Sequence, residues 1–327
     1  MTRRQGAPPY GRAVRPYVLA AAGLLVAASA GCGQTAPRTT GAPSPPPQAP
    51  TAASASISPS TTPARTAQPP VPRPSRPPAV AAPAPLLASG AWKRAFNGSA
   101  GSIGCEQGYA RLKASGSPRL TFGRTTVFVG FQQDGNNQDP VFARYDGTRE
   151  VYCEHHEKQS PDARALGVTW DGGPRAYVVY TVVGGGTELE GKASRGWLNR
   201  YGDGGASSAV TVVGEVELRG GTLTRSTFLV ARRVKNGQTK TNTIVPVAAP
   251  LRTASGGLVI FAKSAFAPLN PDQTQMCPSG KGEYPQSGPG RADGASFVGV
   301  FASNLGSLTC AKTWGCSNVR KPCPDVG

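Results

Sequence analysis

Acidic residues are absent from the first 90 positions of this 327-residue chain, which carry eight arginines and no lysine. Long apolar runs are also missing from most of this segment, and Gly33–Gly90 holds 16 prolines in 58 residues. Such a composition cannot bury enough apolar surface to offset the entropy of ordering, which excludes a packed domain there. We therefore predict a disordered stalk over residues 32–90 and a folded domain over residues 91–327.

Residues that usually carry catalysis or bind metals are also scarce. The only two histidines, His155 and His156, are adjacent, and the chain contains neither a G-x-S-x-G nor a C-x-x-C motif. The chain therefore has few of the residues needed for a Ser-His-Asp catalytic site or for a zinc site. We predict no catalytic residue, no metal ligand and no cofactor.

The amino terminus has the three parts of an export signal. Arg3, Arg4, Arg12 and Arg15 precede an apolar run of 13 residues, Val18–Ala30, and small residues follow. A permanent membrane span needs about 20 apolar residues, so this run is too short for one. Cleavage is the better interpretation, with a signal peptide over residues 1–31.

The residues Ser29-Ala30-Gly31-Cys32 resemble the lipobox of bacterial lipoproteins, although leucine is commoner than serine at the first of these positions. The resemblance implies cleavage before Cys32 and a diacylglyceryl group on its thiol. The protein would then be exported and anchored to the cell membrane, with its domain facing outside the cytoplasm. The alternative is an ordinary secretory signal whose removal leaves a spare cysteine.

The number of cysteines favours the lipid. The chain has seven, and setting Cys32 aside leaves six in the predicted domain: Cys105, Cys153, Cys277, Cys310, Cys316 and Cys323. An even set in an exported chain predicts disulfides, but six cysteines allow 15 connectivities. Because each pair brackets a few predicted strands, we expect Cys105–Cys153 and Cys277–Cys310, which leaves Cys316–Cys323.

The formal charge of +17 divides almost evenly between the two parts of the chain. Residues 91–327 carry 27 basic and 18 acidic side chains, a net charge of +9, and the signal and stalk carry the rest. A basic stalk beside a lipid anchor is suited to anionic headgroups or wall polymers. Nucleic acid is not an expected partner for a domain outside the cell.

The folded part is predicted to be all-β. Six short runs are rich in β-branched and aromatic residues: 126–131, 176–183, 209–213, 227–230, 257–261 and 297–301. Turn signals separate them, namely Ser115-Gly116, Asp134-Gly135, Asp146-Gly147, Asp171-Gly172-Gly173, Gly220-Gly221, Asn236-Gly237 and Ser255-Gly256-Gly257. No window shows a sustained helical period, so we expect antiparallel hairpins.

A faint repeat suggests how these hairpins are arranged. Trp92 and Trp197 lie 105 residues apart, Ser115-Gly116 and Gly220-Gly221 follow them at similar offsets, and Trp314 could start a shortened copy. The segments VTWDGGPRAYVVYTVVGG and RTASGGLVIFAKSAFAPLNP resemble the hairpins of bacterial β-propeller repeat proteins. The resemblance implies a propeller-like array of about four small blades, an architecture used for binding and by some enzymes. A paired β-sandwich is the alternative.

Three groups of polar residues are candidate sites. The run 154–157 places two adjacent histidines between glutamates, but neighbours in a strand face opposite ways, so an exposed strand end is favoured over a metal site. The run 134–139 is interpreted as a hairpin loop, because it lacks the glycine and glutamate of a calcium loop. Paired carboxylates can catalyse glycan hydrolysis, and two pairs of glutamates have i, i+2 spacing: Glu188 with Glu190, and Glu215 with Glu217. Such pairs usually mark only the solvent-exposed face of a strand.

A different segment is the better candidate for a binding surface. Arg195, Trp197, Arg200 and Tyr201 combine aromatic rings and cations in a glycine-rich stretch, which suits a sugar ring or an anionic polymer. If the repeat holds, Trp197 is instead a buried residue between sheets. We expect a binding or scaffolding protein of the cell envelope, with an envelope polysaccharide or another envelope protein as partner. A hydrolase acting on glycans is the alternative.

The anchor is testable in cells. Replacing Cys32 with alanine removes the thiol that would carry the lipid, so the protein is expected to move from the membrane fraction to the soluble fraction on immunoblots. Ser29→Leu, which brings the motif closer to the lipobox, should leave membrane association intact. Unchanged membrane association of Cys32→Ala would show that Cys32 is not the anchor.

Overall fold

The structure is a computed structural model. It describes residues 92–99, 101–158, 162–184, 187–202, 208–235, 238–277, 294–314, 316 and 318–324. The predicted signal peptide, Cys32, the stalk and the turn at Asn236-Gly237 lie outside the described residues.

The described chain is mostly β-structure with short helical elements. The helical elements are a 3-10 turn at Cys105–Gln107, α1 at Gly108–Ala114 and α2 at Thr187–Lys192. The strands of the first part are β1 (Lys93–Phe96), β2 (Arg119–Phe122), β3 (Thr125–Asp134), β4 (Asn137–Asp146), β5 (Arg149–His155), β6 (Ala163–Trp170) and β7 (Arg175–Val183). Those of the second part are β8 (Ala209–Glu217), β9 (Leu223–Leu229), β10 (Ala231–Lys235), β11 (Gln238–Asn242), β12 (Ile244–Pro246), β13 (Leu251–Arg252), β14 (Leu258–Ser264), β15 (Ala267–Pro268), β16 (Phe297–Phe301) and β17 (Leu308–Thr313).

The six predicted strand runs are confirmed, since they fall on β3, β7, β8, β9, β14 and β16. The helices were not expected. At seven and six residues, α1 and α2 are too short to show a helical period in the sequence. None of the described helices has the length and apolar character needed to cross a lipid bilayer.

Tight turns connect the strands where the glycine signals predict them. Gly135 joins β3 to β4 with φ of 57°, and Gly147 joins β4 to β5 with φ of 67°. This left-handed region is open to glycine at little steric cost, which is why two-residue hairpin turns favour it. The chain therefore reverses at these points and forms antiparallel neighbours.

The strands form four antiparallel sheets. The amino-terminal sheet has the order β2-β3-β4-β5, and the central sheet has the order β1-β6-β7-β8-β9. The carboxyl-terminal sheet has the order β12-β14-β16-β17, with β13 also paired to β14, and a small sheet has the order β11-β10-β15. All pairs of named strands are antiparallel, as the hairpin pattern predicts.

Alternation along β3 gives the amino-terminal sheet two buried faces. Val127 and Val129 pack in the large core with residues of the central sheet. Phe128, between them, points the other way into a smaller cluster with Leu112 of α1. Because successive side chains leave a strand on opposite faces, α1 and the central sheet cover opposite sides of this sheet.

The carboxyl-terminal sheet divides its side chains in the same way. Leu258, Ile260 and Ala262 of β14 belong to the large core, whereas Val259 and Phe261 belong to a second cluster. Strand β12 contacts β7 and β8 of the central sheet. The central sheet therefore packs against the amino-terminal sheet through β6 and against β12 through β7 and β8.

The two copies of the predicted repeat differ in structure where they begin. Trp92 precedes strand β1, whereas Trp197 follows helix α2 and leads into no strand. Ser115-Gly116 ends α1, whereas Gly220-Gly221 joins β8 to β9. Within the described ranges, neither a closed barrel nor a propeller is detected.

The predicted Cys105–Cys153 disulfide is confirmed. It joins the 3-10 turn to β5, with Cα atoms 5.6 Å apart. The bond spans 48 residues of sequence and attaches the 3-10 turn that precedes α1 to β5, an edge strand of the amino-terminal sheet.

The other two predicted pairings are wrong. Cys277 pairs with Cys316, and Cys310 pairs with Cys323. After residue 316 the chain turns back along β17, where Cys323 N–H donates to Ala311 O and Ala311 N–H donates to Lys321 O. This return places Cys323 beside Cys310. The predicted Cys316–Cys323 pairing relied on the short distance between those two cysteines in sequence, which does not indicate the return.

The packing of the amino-terminal sheet can be tested by replacing valine with alanine at one buried and one exposed position. Val129 is fully buried, so Val129→Ala is expected to lower the free energy of unfolding by about 2 kcal/mol. Val151 on β5 is 38% exposed, and Val151→Ala should cost less than about 1 kcal/mol. Denaturant unfolding of both variants measures the difference, and equal losses would contradict the packing described.

Candidate functional site

A cleft of about 500 Å³ opens between the end of β5, helix α2 and the turn joining β8 to β9. It contains the histidine and glutamate run that the sequence singled out. Its lining residues are Glu154, His155, His156, Lys158, Glu188, Gly191, Lys192, Gly221, Thr222 and Leu223.

Two smaller cavities, of about 380 and 410 Å³, are less suited to a ligand. In each, one of the lining arginines already makes hydrogen bonds within the fold. Arg164 donates to Gln138, and Arg144 donates to Leu218 O and pairs with Asp146. The cleft beside α2 is therefore the candidate site.

The two histidines point to opposite sides of β5, as the strand geometry predicts. His155 Nε2 lies 3.1 Å from Gln132 Oε1 and 3.8 Å from Cys105 Sγ, on the side of the disulfide. His156 points into the large core, where its ring stacks on Phe142 with centroids 5.7 Å apart. The expectation of an exposed strand end is wrong for His156, which is only 7% exposed.

His156 joins three segments through two hydrogen bonds. Its Nε2 donates to Gly221 O at 2.8 Å, because a carbonyl oxygen can only accept. Its Nδ1 then lacks a proton and accepts from Tyr180 Oη, also at 2.8 Å. Burial lowers the pKa of His156 to about 4, although the bond to Gly221 opposes that shift. The imidazole is therefore neutral at pH 7 and serves as a structural bridge.

Glu157 positions the other wall of the cleft. Its side chain is fully buried, and Oε2 accepts hydrogen bonds from Glu188 N at 3.0 Å and Leu189 N at 3.2 Å. These are free N–H groups of the first turn of α2, so the carboxylate caps the helix. Sequence reasoning missed this role, because the cap lies 31 residues away along the chain and no local motif signals it.

Of the remaining charged residues at the cleft, Glu154, Lys158 and Lys192 are exposed and Glu188 is half-buried. Glu188 Oε2 accepts the backbone N–H of Lys158 at 2.9 Å. Within the described part of the chain, the carboxylate of Glu154 and the ammonium groups of Lys158 and Lys192 form no ion pair or hydrogen bond. These three groups are available to a ligand.

The glutamates weighed for hydrolysis have structural roles. Glu188 and Glu190 lie on α2 rather than on a strand, so the expectation of a strand-face pair is wrong for them. Glu190 Oε1 accepts the N–H of Tyr201. On β8, Glu215 is buried and lies 3.6 Å from Arg175 Nη1. Glu217 accepts the N–H groups of Arg219 and Gly220 in the following turn.

The predicted hairpin loop at residues 134–139 is confirmed. Asp134 ends β3, Asn137 begins β4, and the two residues face each other across the turn. Asp139 is a buried strand residue, and its burial raises the pKa of its carboxyl group. Among the described residues, no group of three or more His, Cys, Asp or Glu side chains could hold a metal ion.

The predicted aromatic binding surface is not exposed. Trp197 is 6% exposed, its Nε1 donates to Pro271 O at 2.8 Å, and its ring packs edge-on against Phe301. Tyr201 is 3% exposed and donates its hydroxyl to Ser208 O. A ring buried on both faces cannot stack on a sugar, so the alternative of a core role is correct. Arg195 and Arg200 are exposed at the surface beside them.

A scan of protein-family models and searches of curated proteins and of solved structures return no significant match to this chain.

The neutral state of His156 makes stability depend on pH. The folded state holds its pKa at about 4, below the usual 6.5, so its contribution is complete above pH 6.5 and is lost as the pH falls toward 4. The free energy of unfolding should drop by about 3 kcal/mol across this window. His156→Gln cannot titrate and should flatten the profile, whereas His155→Gln should keep it. An unchanged profile in His156→Gln would contradict the assignment.

Proposed function

We propose that this protein is an exported, lipid-anchored binding protein of the bacterial cell envelope. In this proposal Cys32 carries the lipid, residues 32–90 form a stalk, and the β-rich domain captures an envelope component in the cleft beside α2. The hydrolase alternative is not favoured, because three of its candidate glutamates accept backbone N–H groups, and the fourth, Glu215, is buried and paired with Arg175.

The cysteines support the location. All six cysteines after residue 90 are paired with one another, which leaves Cys32 as the seventh. Disulfides form and persist outside the reducing cytoplasm. Lipid attachment gives the unpaired cysteine a use that is compatible with an oxidising compartment.

The observation that carries the binding function is a cleft with fixed walls and free charges. One wall is fixed by the Cys105–Cys153 disulfide and by His156, the other by the carboxylate of Glu157. A site that is already organised loses little entropy when a ligand binds. A volume of about 500 Å³ lies in the range of small-molecule and oligomer sites.

The finer architecture stays a prediction. Four sheets of three to five strands equal in number the four small blades implied by the propeller resemblance. In the propeller arrangement these sheets are placed radially, and a paired β-sandwich is the alternative.

Filling the cleft tests the function. Thr222 is exposed in the β8–β9 turn and lines the cleft, so Thr222→Trp should block it. Full-length protein in detergent is mixed with the insoluble wall fraction of the producing bacterium and sedimented. The bound fraction of Thr222→Trp is expected to fall about tenfold below that of wild type. A tenfold loss corresponds to about 1.4 kcal/mol of binding free energy.

Thr148→Trp supplies the matched control, because Thr148 is an exposed turn residue between β4 and β5 and does not line the cleft. It should sediment as wild type does. If wild type leaves the wall fraction unbound, the proposed function is wrong. If both tryptophan variants bind as well as wild type, the ligand does not use this cleft.

A further inference from the structure

The charges of the cleft are arranged on two facing walls. Glu154 and Lys158 belong to β5 and the residues that follow it, and Glu188 and Lys192 belong to α2. Each wall therefore carries one acidic and one basic side chain. Four charges around one opening would neutralise one another if the side chains met across it.

They do not meet. Glu188 is used by the backbone N–H of Lys158. Among the residues that the structure describes, none lies within ion-pair distance of the Glu154 carboxylate, the Lys158 ammonium or the Lys192 ammonium. The cleft thus presents one free carboxylate and two free ammonium groups.

The walls are held so that these charges stay apart. Glu154 directly follows Cys153, which is bonded to Cys105. The stem of Glu154 also crosses Gly221, where an added Cβ would lie 2.9 Å from Glu154 Cγ. Lys192 lies in the last turn of α2, whose first turn is capped by Glu157. The backbone of each wall is therefore tied to neighbouring segments close to the charged residue.

These observations restrict the charge of a ligand. A purely anionic polymer would meet the lysines but would be repelled by Glu154, and a purely cationic one would be repelled by two lysines. A ligand with both an ammonium and a carboxylate group satisfies all three free charges, and charge-assisted hydrogen bonds are the stronger kind.

We infer that the cleft binds a zwitterionic peptide of the bacterial wall, with its ammonium group at Glu154 and a carboxylate at Lys192 and Lys158. The inference rests on the proposed function, because it takes the wall to be the material within reach of the anchored domain. The peptide stems of peptidoglycan carry both kinds of group, and the cleft is large enough for a short peptide.

The first test changes the ligand. Peptides released by an amidase from the bacterium's own peptidoglycan are titrated into full-length protein in detergent and followed by calorimetry. Acetylating their amines, or amidating their carboxylates, should each weaken binding about tenfold, since each removes one charged hydrogen-bonding group. Equal affinity of acetylated and untreated peptides, or no binding of untreated peptides, would overturn the inference.

The second test changes the protein. Glu154→Gln and Lys192→Gln keep the size of each side chain and remove its charge, and each should weaken binding of the untreated peptides about tenfold. Glu106→Gln and Lys113→Gln remove one charge of each sign from exposed positions outside the cleft and should bind as wild type does. Stronger binding of an acidic wall polysaccharide by Glu154→Gln than by wild type would identify an anionic ligand instead and overturn the inference.

The two proposals fail differently. If Thr222→Trp loses the wall fraction while Glu154→Gln and Lys192→Gln retain it, the cleft binds a wall component that is not recognised by these charges. If wild type binds neither the wall fraction nor the peptides, the proposed function itself is wrong.

Discussion

The close approach of β5 to the β8–β9 turn at Gly221 is the constraint on which the candidate site depends. An added Cβ at Gly221 would lie 2.5 Å from the ring of Tyr152, so a larger residue would have to displace that ring and the stem of Glu154. Gly221 also has φ of 73°, which disfavours other residues. Because the backbone comes this close, the carbonyl oxygen of Gly221 can accept a hydrogen bond from His156 Nε2.

Several polar contacts secure the same approach. Tyr152 Oη and Arg144 Nη1 both donate to Leu218 O, each at 2.9 Å, in the turn that ends at Gly221. These donors lie on β4 and β5, whereas the acceptor belongs to the central sheet's turn. A hydrogen bond adds little net free energy of folding, but leaving a buried partner unpaired costs more. These bonds therefore fix the relative position of the two sheets more than they stabilise the fold.

Local features of this fold could be predicted from the sequence, whereas contacts between distant segments could not. The runs of valine and aromatic residues predicted the strands, and Gly135 and Gly147 predicted the hairpin turns, because period and glycine content act within a few residues. The Cys277–Cys316 pairing, the capping of α2 by Glu157 and the burial of His156 depend on segments that meet only after folding. The assignment of Trp197 to a surface was wrong for the same reason, since its covering residues, Pro271 and Phe301, lie far along the chain.

The acidic residues around the cleft differ in whether their carboxylates already accept hydrogen bonds from the backbone. Glu157, Glu188, Glu190 and Glu217 each accept backbone N–H groups, and so help to fix a helix, a loop or a turn. A carboxylate used in this way is held by the fold and presents less of its charge to solvent. Glu154 differs, since its stem lies against Gly221 and its carboxylate has no hydrogen-bond or ion-pair partner among the residues that the structure describes. The same fold that fixes its neighbours therefore holds Glu154 opposite α2, across the cleft from Lys192, a base that likewise has no partner in the described part of the chain.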